Sequence, residues 1–136
     1  MAWRAGRTAL VAAGLLALAA CDEALSQDQI MRTLAGNSIE GKTADDETYW
    51  VYFTDKGDIF MLVENGFTDS GRWRATDDGK YCRTWRQVQA GIEACFGIKK
   101  SGRTLEFERD KTALSVKLIE GNPQQLPRRD MQRRAP

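Results

Sequence analysis

The sequence predicts an all-β fold: a small antiparallel up-and-down barrel of about eight strands, with one short helix ahead of it. Three observations carry this. Apolar and aromatic runs, several of them alternating, recur along residues 49–119, with turn signals about every ten residues, the mark of a sandwich or barrel. The connections are hairpin-length, which favours a meander over long crossings. A weaker strand candidate at 37–42 can lie beside the last strand and close the sheet, leaving no free edge.

Along the chain, residues 1–20 read as an export leader. Arg4 and Arg7 precede the uncharged run Ala9–Ala20, and small residues lead into Cys21, the layout of a secretory signal with its cleavage site. The run is shorter than the roughly 20 apolar residues of a retained membrane helix. Residues 21–26 form a tether. Ser26 with Gln29 is a capping box, so a helix is expected over about 27–35, with Ile30, Met31 and Leu34 as its apolar stripe and Gly36 as its stop.

The strands follow. Tyr49–Thr54 is aromatic and β-branched and turns at Asp55-Lys56-Gly57; Ile59–Val63 returns and ends at Glu64-Asn65-Gly66. Gly71–Thr76 alternates, with Trp73 on one face and Arg72 and Arg74 on the other. After the turn Asp77–Lys80, Tyr81–Arg86 places Tyr81, Arg83 and Trp85 on one face, with Cys82, Thr84 and Arg86 opposite. Gln89-Ala90-Gly91 leads to Ala94–Ile98, then to Thr104–Arg109 and Ala113–Ile119. Gly121-Asn122-Pro123 ends the regular structure. The barrel domain thus spans 27–126, followed by a basic, disordered tail at 127–136 carrying Arg128, Arg129, Arg133 and Arg134.

Composition narrows the function. Lys and Arg total 20 against 19 Asp and Glu, and two of the basic residues lie in the leader. The remaining domain is near neutral, which argues against nucleic acid as a partner. The chain has three cysteines and no histidine. With Cys21 set aside, Cys82 and Cys95 form an even pair in an exported protein, where a disulfide is the usual outcome. A hairpin turning at about 87–90 opposes residues whose numbers have a constant sum, and pairing Cys82 with Cys95 centres that hairpin between Val88 and Gln89. Two thiolates without histidine make an uncommon zinc set, so no metal is assigned.

Little here suggests catalysis, and the chain is expected not to be an enzyme. Without histidine the usual proton shuttle is missing. Glu106 and Glu108 share one strand face and read as solvated. Asp45–Glu47 and Asp77–Asp78 read as turns, since neither matches a spaced calcium loop. No cofactor is implied. Trp50, Tyr52, Phe60, Trp73, Tyr81, Trp85, Phe96 and Phe107 suffice to fill a small barrel, and an eight-stranded barrel can equally hold one small ligand. Trp50, Trp73 and Trp85 are the candidate ligand contacts. Arg72, Arg74 and Arg83, with Arg86 nearby, form a candidate cationic surface for an acidic partner or glycan.

Leu18-Ala19-Ala20-Cys21 resembles the lipobox of bacterial lipoproteins. That resemblance implies cleavage before Cys21 and its acylation, palmitate included, and so attachment to a bacterial membrane. Asp22 resembles the signal that holds some lipoproteins at the inner membrane, so the periplasmic side of that membrane is slightly favoured over the outer one. Leu34-x-Gly36-Asn37, Trp50-x-Tyr52-Phe53 before Asp55-x-Gly57, Gly71-x-Trp73, Asp78-Gly79-Lys80-Tyr81-Cys82-x-x-Trp85, Cys95-Phe96 and Gly121-Asn122-Pro123 resemble small exported proteobacterial proteins of unknown function. The similarity covers about residues 34–126. It implies a lipocalin-like periplasmic barrel and supplies no catalytic residues. The expectation is a non-catalytic binding or accessory module of the cell envelope, contacting an envelope protein. The alternatives are a carrier of a small apolar ligand and an inhibitor of a cell-wall hydrolase.

Overall fold

The computed structural model describes residues 23–132. Helix α1 (Gln27–Leu34) is followed by eight strands: β1 (Ser38–Lys42), β2 (Thr48–Phe53), β3 (Asp58–Val63), β4 (Thr68–Ala75), β5 (Tyr81–Trp85), β6 (Ala94–Ser101), β7 (Thr104–Arg109) and β8 (Thr112–Ile119). A short helix, α2 (Arg129–Gln132), comes last. The strands pair in chain order, all antiparallel, and β1 closes on β8 through Ser38–Ile119, Ile39–Leu118 and Glu40–Lys117. The fold is therefore a closed, eight-stranded, lipocalin-like up-and-down barrel.

Local sequence explains each element. The Ser26 hydroxyl accepts from the Gln29 backbone N–H, and the Gln29 side chain accepts from the Ser26 N–H, so two of the helix's unpaired donors are satisfied at once. Ile30 and Leu34 are fully buried on its inner face. In β2 the pleat turns Tyr49, Val51 and Phe53 into the core. Ile39, Ile59, Trp73, Tyr81, Ile98, Leu105, Phe107 and Val116 complete one continuous cluster. Gly71 is required by a close approach: a Cβ there would lie 2.0 Å from the Thr84 carbonyl oxygen.

Cys82 and Cys95 are directly opposed in the β5–β6 ladder, with Cα atoms 4.0 Å apart, and are disulfide-bonded. In the chain-entropy model a loop of this size contributes about 3 kcal/mol. The ladder holds the expected register for Tyr81–Phe96, Cys82–Cys95 and Arg83–Ala94 and then stops. The further pairs expected from the hairpin, Thr84–Glu93 and Trp85–Ile92, are replaced by a tight turn at Val88–Gly91, where Gln89 and Ala90 adopt positive φ.

Several boundaries move, most by one residue; β6 runs on to Ser101 rather than ending at Ile98. β4 begins at Thr68 rather than Gly71, because Met61–Asp69 and Leu62–Thr68 pair across to β3. The tether is shorter than residues 21–26: Ala24 bridges to Lys99, and the Leu25 N–H donates to the Ile98 carbonyl at 2.8 Å. The tail expected to be disordered from 127 starts with the turn of helix α2, and Pro127 and Met131 border an outer groove beside Phe60. Residues 1–22, with the leader and Cys21, lie outside the described residues, as do 133–136.

Candidate functional site

The two ends of the barrel differ in kind. One end is plugged. Helix α1 sets Ile30 and Leu34 into it, Leu25 docks on β6, and the Trp73 indole N–H donates to the Thr54 carbonyl at 3.0 Å. The other end, ringed by loops 43–47, 64–67, 86–93 and 110–111, is open. It holds a cavity of about 390 Å³, within the roughly 300–1,000 Å³ of small-molecule sites.

Its wall is mostly apolar: Tyr49, Met61, Val63, Phe67, Val88 and Leu114 line it, with Lys42, Asp45 and Glu47 among the lip residues. Gly41 makes room for this wall, since a Cβ there would sit 2.6 Å from the Tyr49 ring. Three exposed large apolar residues, Phe67, Ile92 and Leu114, gather at this end. Asp69, which is buried, ties the β5–β6 loop to β4 by accepting from the backbone N–H groups of Ser70, Gln87 and Val88 at 2.8, 3.1 and 2.9 Å.

Arg83 also lines the cavity. Because β5 alternates, Tyr81, Arg83 and Trp85 all point inward. The Arg83 guanidinium carbon lies 4.9 Å from the centre of the Phe96 ring and 6.0 Å from that of Trp85. Its Nε is buried without a hydrogen-bond partner among the described residues, as are the Tyr81 hydroxyl and the Trp85 indole nitrogen. One inward row therefore carries three buried polar atoms without a well-formed hydrogen bond, the Tyr81 hydroxyl interacting only with the Arg83 guanidinium, where buried polar atoms are nearly always paired. Burial pushes the Tyr49 and Tyr81 hydroxyls to higher pKa, and the Arg83 charge partly opposes both shifts.

The structure divides the residues that the sequence nominated. Trp73 and Trp85 are inside, but Trp50 points outward and its indole N–H donates to Glu40 at 3.0 Å. The three tryptophans cannot share one ligand. Arg72 and Arg74 share the outer face of β4, where Arg72 pairs with Asp58 at 2.7 Å and Arg74 grips Glu93 with two bonds of 2.8 and 3.2 Å. Arg83 does not join them: it is on the other side of the sheet, so the expected single cationic surface is absent. Tyr49, Met61, Val63, Val88 and Leu114 were not singled out from sequence. Tyr49 two residues from Val51 and four from Phe53 was the available signal, since it shares their face.

A larger depression of about 550 Å³ lies on the barrel's flank, bordered by Phe60, Arg72, Arg86, Pro127 and Met131, where Arg72 is already paired with Asp58. Cys82, Glu93 and Cys95 bring potential metal-ligating atoms within 4.8 Å of one another, but the disulfide leaves neither sulfur as a thiolate. In comparisons with known proteins, the chain matches no family model, and no curated protein or solved structure is similar enough to count as a match.

Proposed function

We propose that this chain is an exported, lipid-anchored binding protein of the bacterial envelope, without catalytic activity, whose small ligand enters the open end of the barrel. The observation that supports it best is the contrast between the ends: one plugged by α1, the other open over an apolar-walled cavity of about 390 Å³. A concave, mostly apolar cavity with a few polar groups is the usual form of a ligand site. The exposed Phe67 and Leu114 at its lip add apolar surface along the path of entry.

The anchor reading rests on the lipobox resemblance at Cys21. It fits the barrel's geometry, because the chain docks on β6 from Ala24 onward. Three residue steps from Cys21 to Ala24 reach at most about 11 Å. A lipid on Cys21 then holds the plugged end towards the membrane, and the mouth opens away from it. The ligand is taken from the periplasm rather than drawn straight out of the anchoring bilayer.

The test is native mass spectrometry of the protein purified from cells, joined to a tryptophan-fluorescence titration with short-chain alcohols and lipids. A retained non-covalent mass or a saturable fluorescence change is expected. A bare mass together with no response to any probe overturns the reading.

A further inference from the structure

We infer that the ligand of this mouth carries a single anionic head on a short apolar tail, and that Arg83 receives the head. The inference rests on the reading of the open end as a binding cavity and names the chemistry that cavity selects. An arginine cannot be neutralised in a protein, so Arg83 sets a permanent positive charge at the inner wall of the cavity. Among the described residues the ion pairs are Arg72–Asp58, Arg74–Glu93 and Lys99–Glu108. None involves Arg83.

The nearby carboxylates do not fill the role. Asp69 spends its oxygens on three backbone N–H groups of β4 and the β5–β6 loop. Asp45 and Glu47 line the cavity from the β1–β2 loop beside Lys42 and outnumber it there, so the lip on balance repels a second negative group. Stacking on Phe96 holds the guanidinium by its face. A planar cation held that way keeps its edge free, and the edge is where a carboxylate or phosphate binds. Arg83 alone of the inward β5 residues lines the cavity, its Nε lacks a hydrogen-bond partner among the described residues, and the buried Tyr81 hydroxyl beside it interacts with the guanidinium.

The rest of the ligand follows from the wall. Tyr49, Met61, Val63, Val88, Leu114 and Phe67 offer it only apolar or aromatic surface apart from one phenol. At roughly 30 Å³ for each water-sized volume, 390 Å³ accommodates about a dozen heavy atoms. Decanoate, with about twelve heavy atoms, fills that space, and a decyl phosphate, with about fifteen, leaves its tail end at the open lip beside Phe67 and Leu114, each seated head first.

The test uses the chain from residue 21 onward with Cys21→Ser, which contains every described element, titrated calorimetrically with decanoate, decyl phosphate and decanol below their aggregation limits. Decanoate or decyl phosphate is expected to bind roughly tenfold or more tightly than decanol, the usual scale for a charge-assisted hydrogen bond. Whichever of the two binds more tightly identifies the head group. Arg83→Gln should bring the anion down to decanol's affinity while leaving decanol within about twofold, and Arg83→Lys should restore part of the preference. In the unsubstituted protein the Arg83 Nε–H resonance should move with the anion and not with decanol, a readout that needs no variant. Equal binding of anion and alcohol, or a preference that survives Arg83→Gln, overturns the anion site and leaves the cavity reading standing. Failure of all three probes to bind overturns both.

Discussion

The Arg83 guanidinium lies 4.9 Å from the centre of the Phe96 ring, inside the barrel, and forms no ion pair among the described residues. A cation–π contact contributes about 0.5–2 kcal/mol. A buried donor without a partner costs about 1–3 kcal/mol. The two roughly cancel, so Arg83 is not held in place by what it adds to the empty fold.

Replacing it should therefore not weaken the unliganded protein. Arg83→Met is expected to leave the thermal midpoint unchanged or raise it by several degrees, since about 1 kcal/mol shifts a domain near this size by roughly 4–8 °C. Calorimetric melting of both proteins without ligand checks this. A fall of that size would mean that Arg83 serves the fold.

The meeting of β4 and β5 at Gly71 makes a sharper structural prediction. A Cβ at Gly71 runs into the Thr84 backbone, whereas one at Gly97 meets only the end of Lys80 at 3.5 Å. Gly71→Ala should cost about 3 kcal/mol or more through overpacking against backbone, and Gly97→Ala less than about 1 kcal/mol. Urea denaturation of the two variants measures the difference. Equal losses would show that the strands can move apart.

These residues also show what sequence could and could not reveal. The disulfide and the β5–β6 register were legible because antiparallel pairs have a constant sum of residue numbers, and the α1 start was legible because a capping box is local. The facing of Trp50 was not. β2 reads Tyr-Trp-Val-Tyr-Phe, apolar on both faces, so alternation alone does not say which face is inside; Glu40 on the neighbouring strand accepts the Trp50 indole outside. Arg83 was placed correctly on the face of Tyr81 and Trp85, yet alternation does not say which face is inside, so it reads as part of a cationic surface with Arg72 and Arg74 until the closed barrel shows that this face is the interior. The start of β4 was hidden because Thr68-Asp69-Ser70 looks like a turn, and only the buried Asp69 bonds to the β5–β6 loop explain it.

The outer ion pair predicts a pH dependence. Hydrogen bonds from the Arg74 fork, helped by its charge and partly opposed by desolvation, hold the Glu93 carboxyl below the usual glutamate range. A depressed carboxyl contributes stability above its unfolded pKa and loses it as pH falls through the folded one. The contribution is small, because both side chains are largely solvated. Arg74→Gln should return Glu93 to the ordinary range and flatten the acid limb of stability there. Carbon-detected NMR titration of Glu93 checks it; a Glu93 midpoint unmoved by the substitution would contradict the assignment.

For the anchor, the expected outcome is a change of fraction. The natural protein should sediment with membranes and label with palmitate, and Cys21→Ser should do neither while Cys82 and Cys95 remain bonded. Membrane association that survives Cys21→Ser would contradict lipidation there.

The most direct test of the mouth as the ligand site uses the indole N–H signals of the barrel's tryptophans. Trp50 is outside and bonded to Glu40, Trp73 is at the plugged end and bonded to Thr54, and Trp85 is inside with its N–H unpaired and its ring centre 6.0 Å from the Arg83 guanidinium. In a ¹⁵N-correlation titration with decanoate, the Trp85 indole should shift saturably together with the Tyr49, Val63 and Arg83 amides, while the Trp50 and Trp73 indoles stay in place. A shift confined to Trp50, or none in any indole, would contradict a ligand site in the mouth.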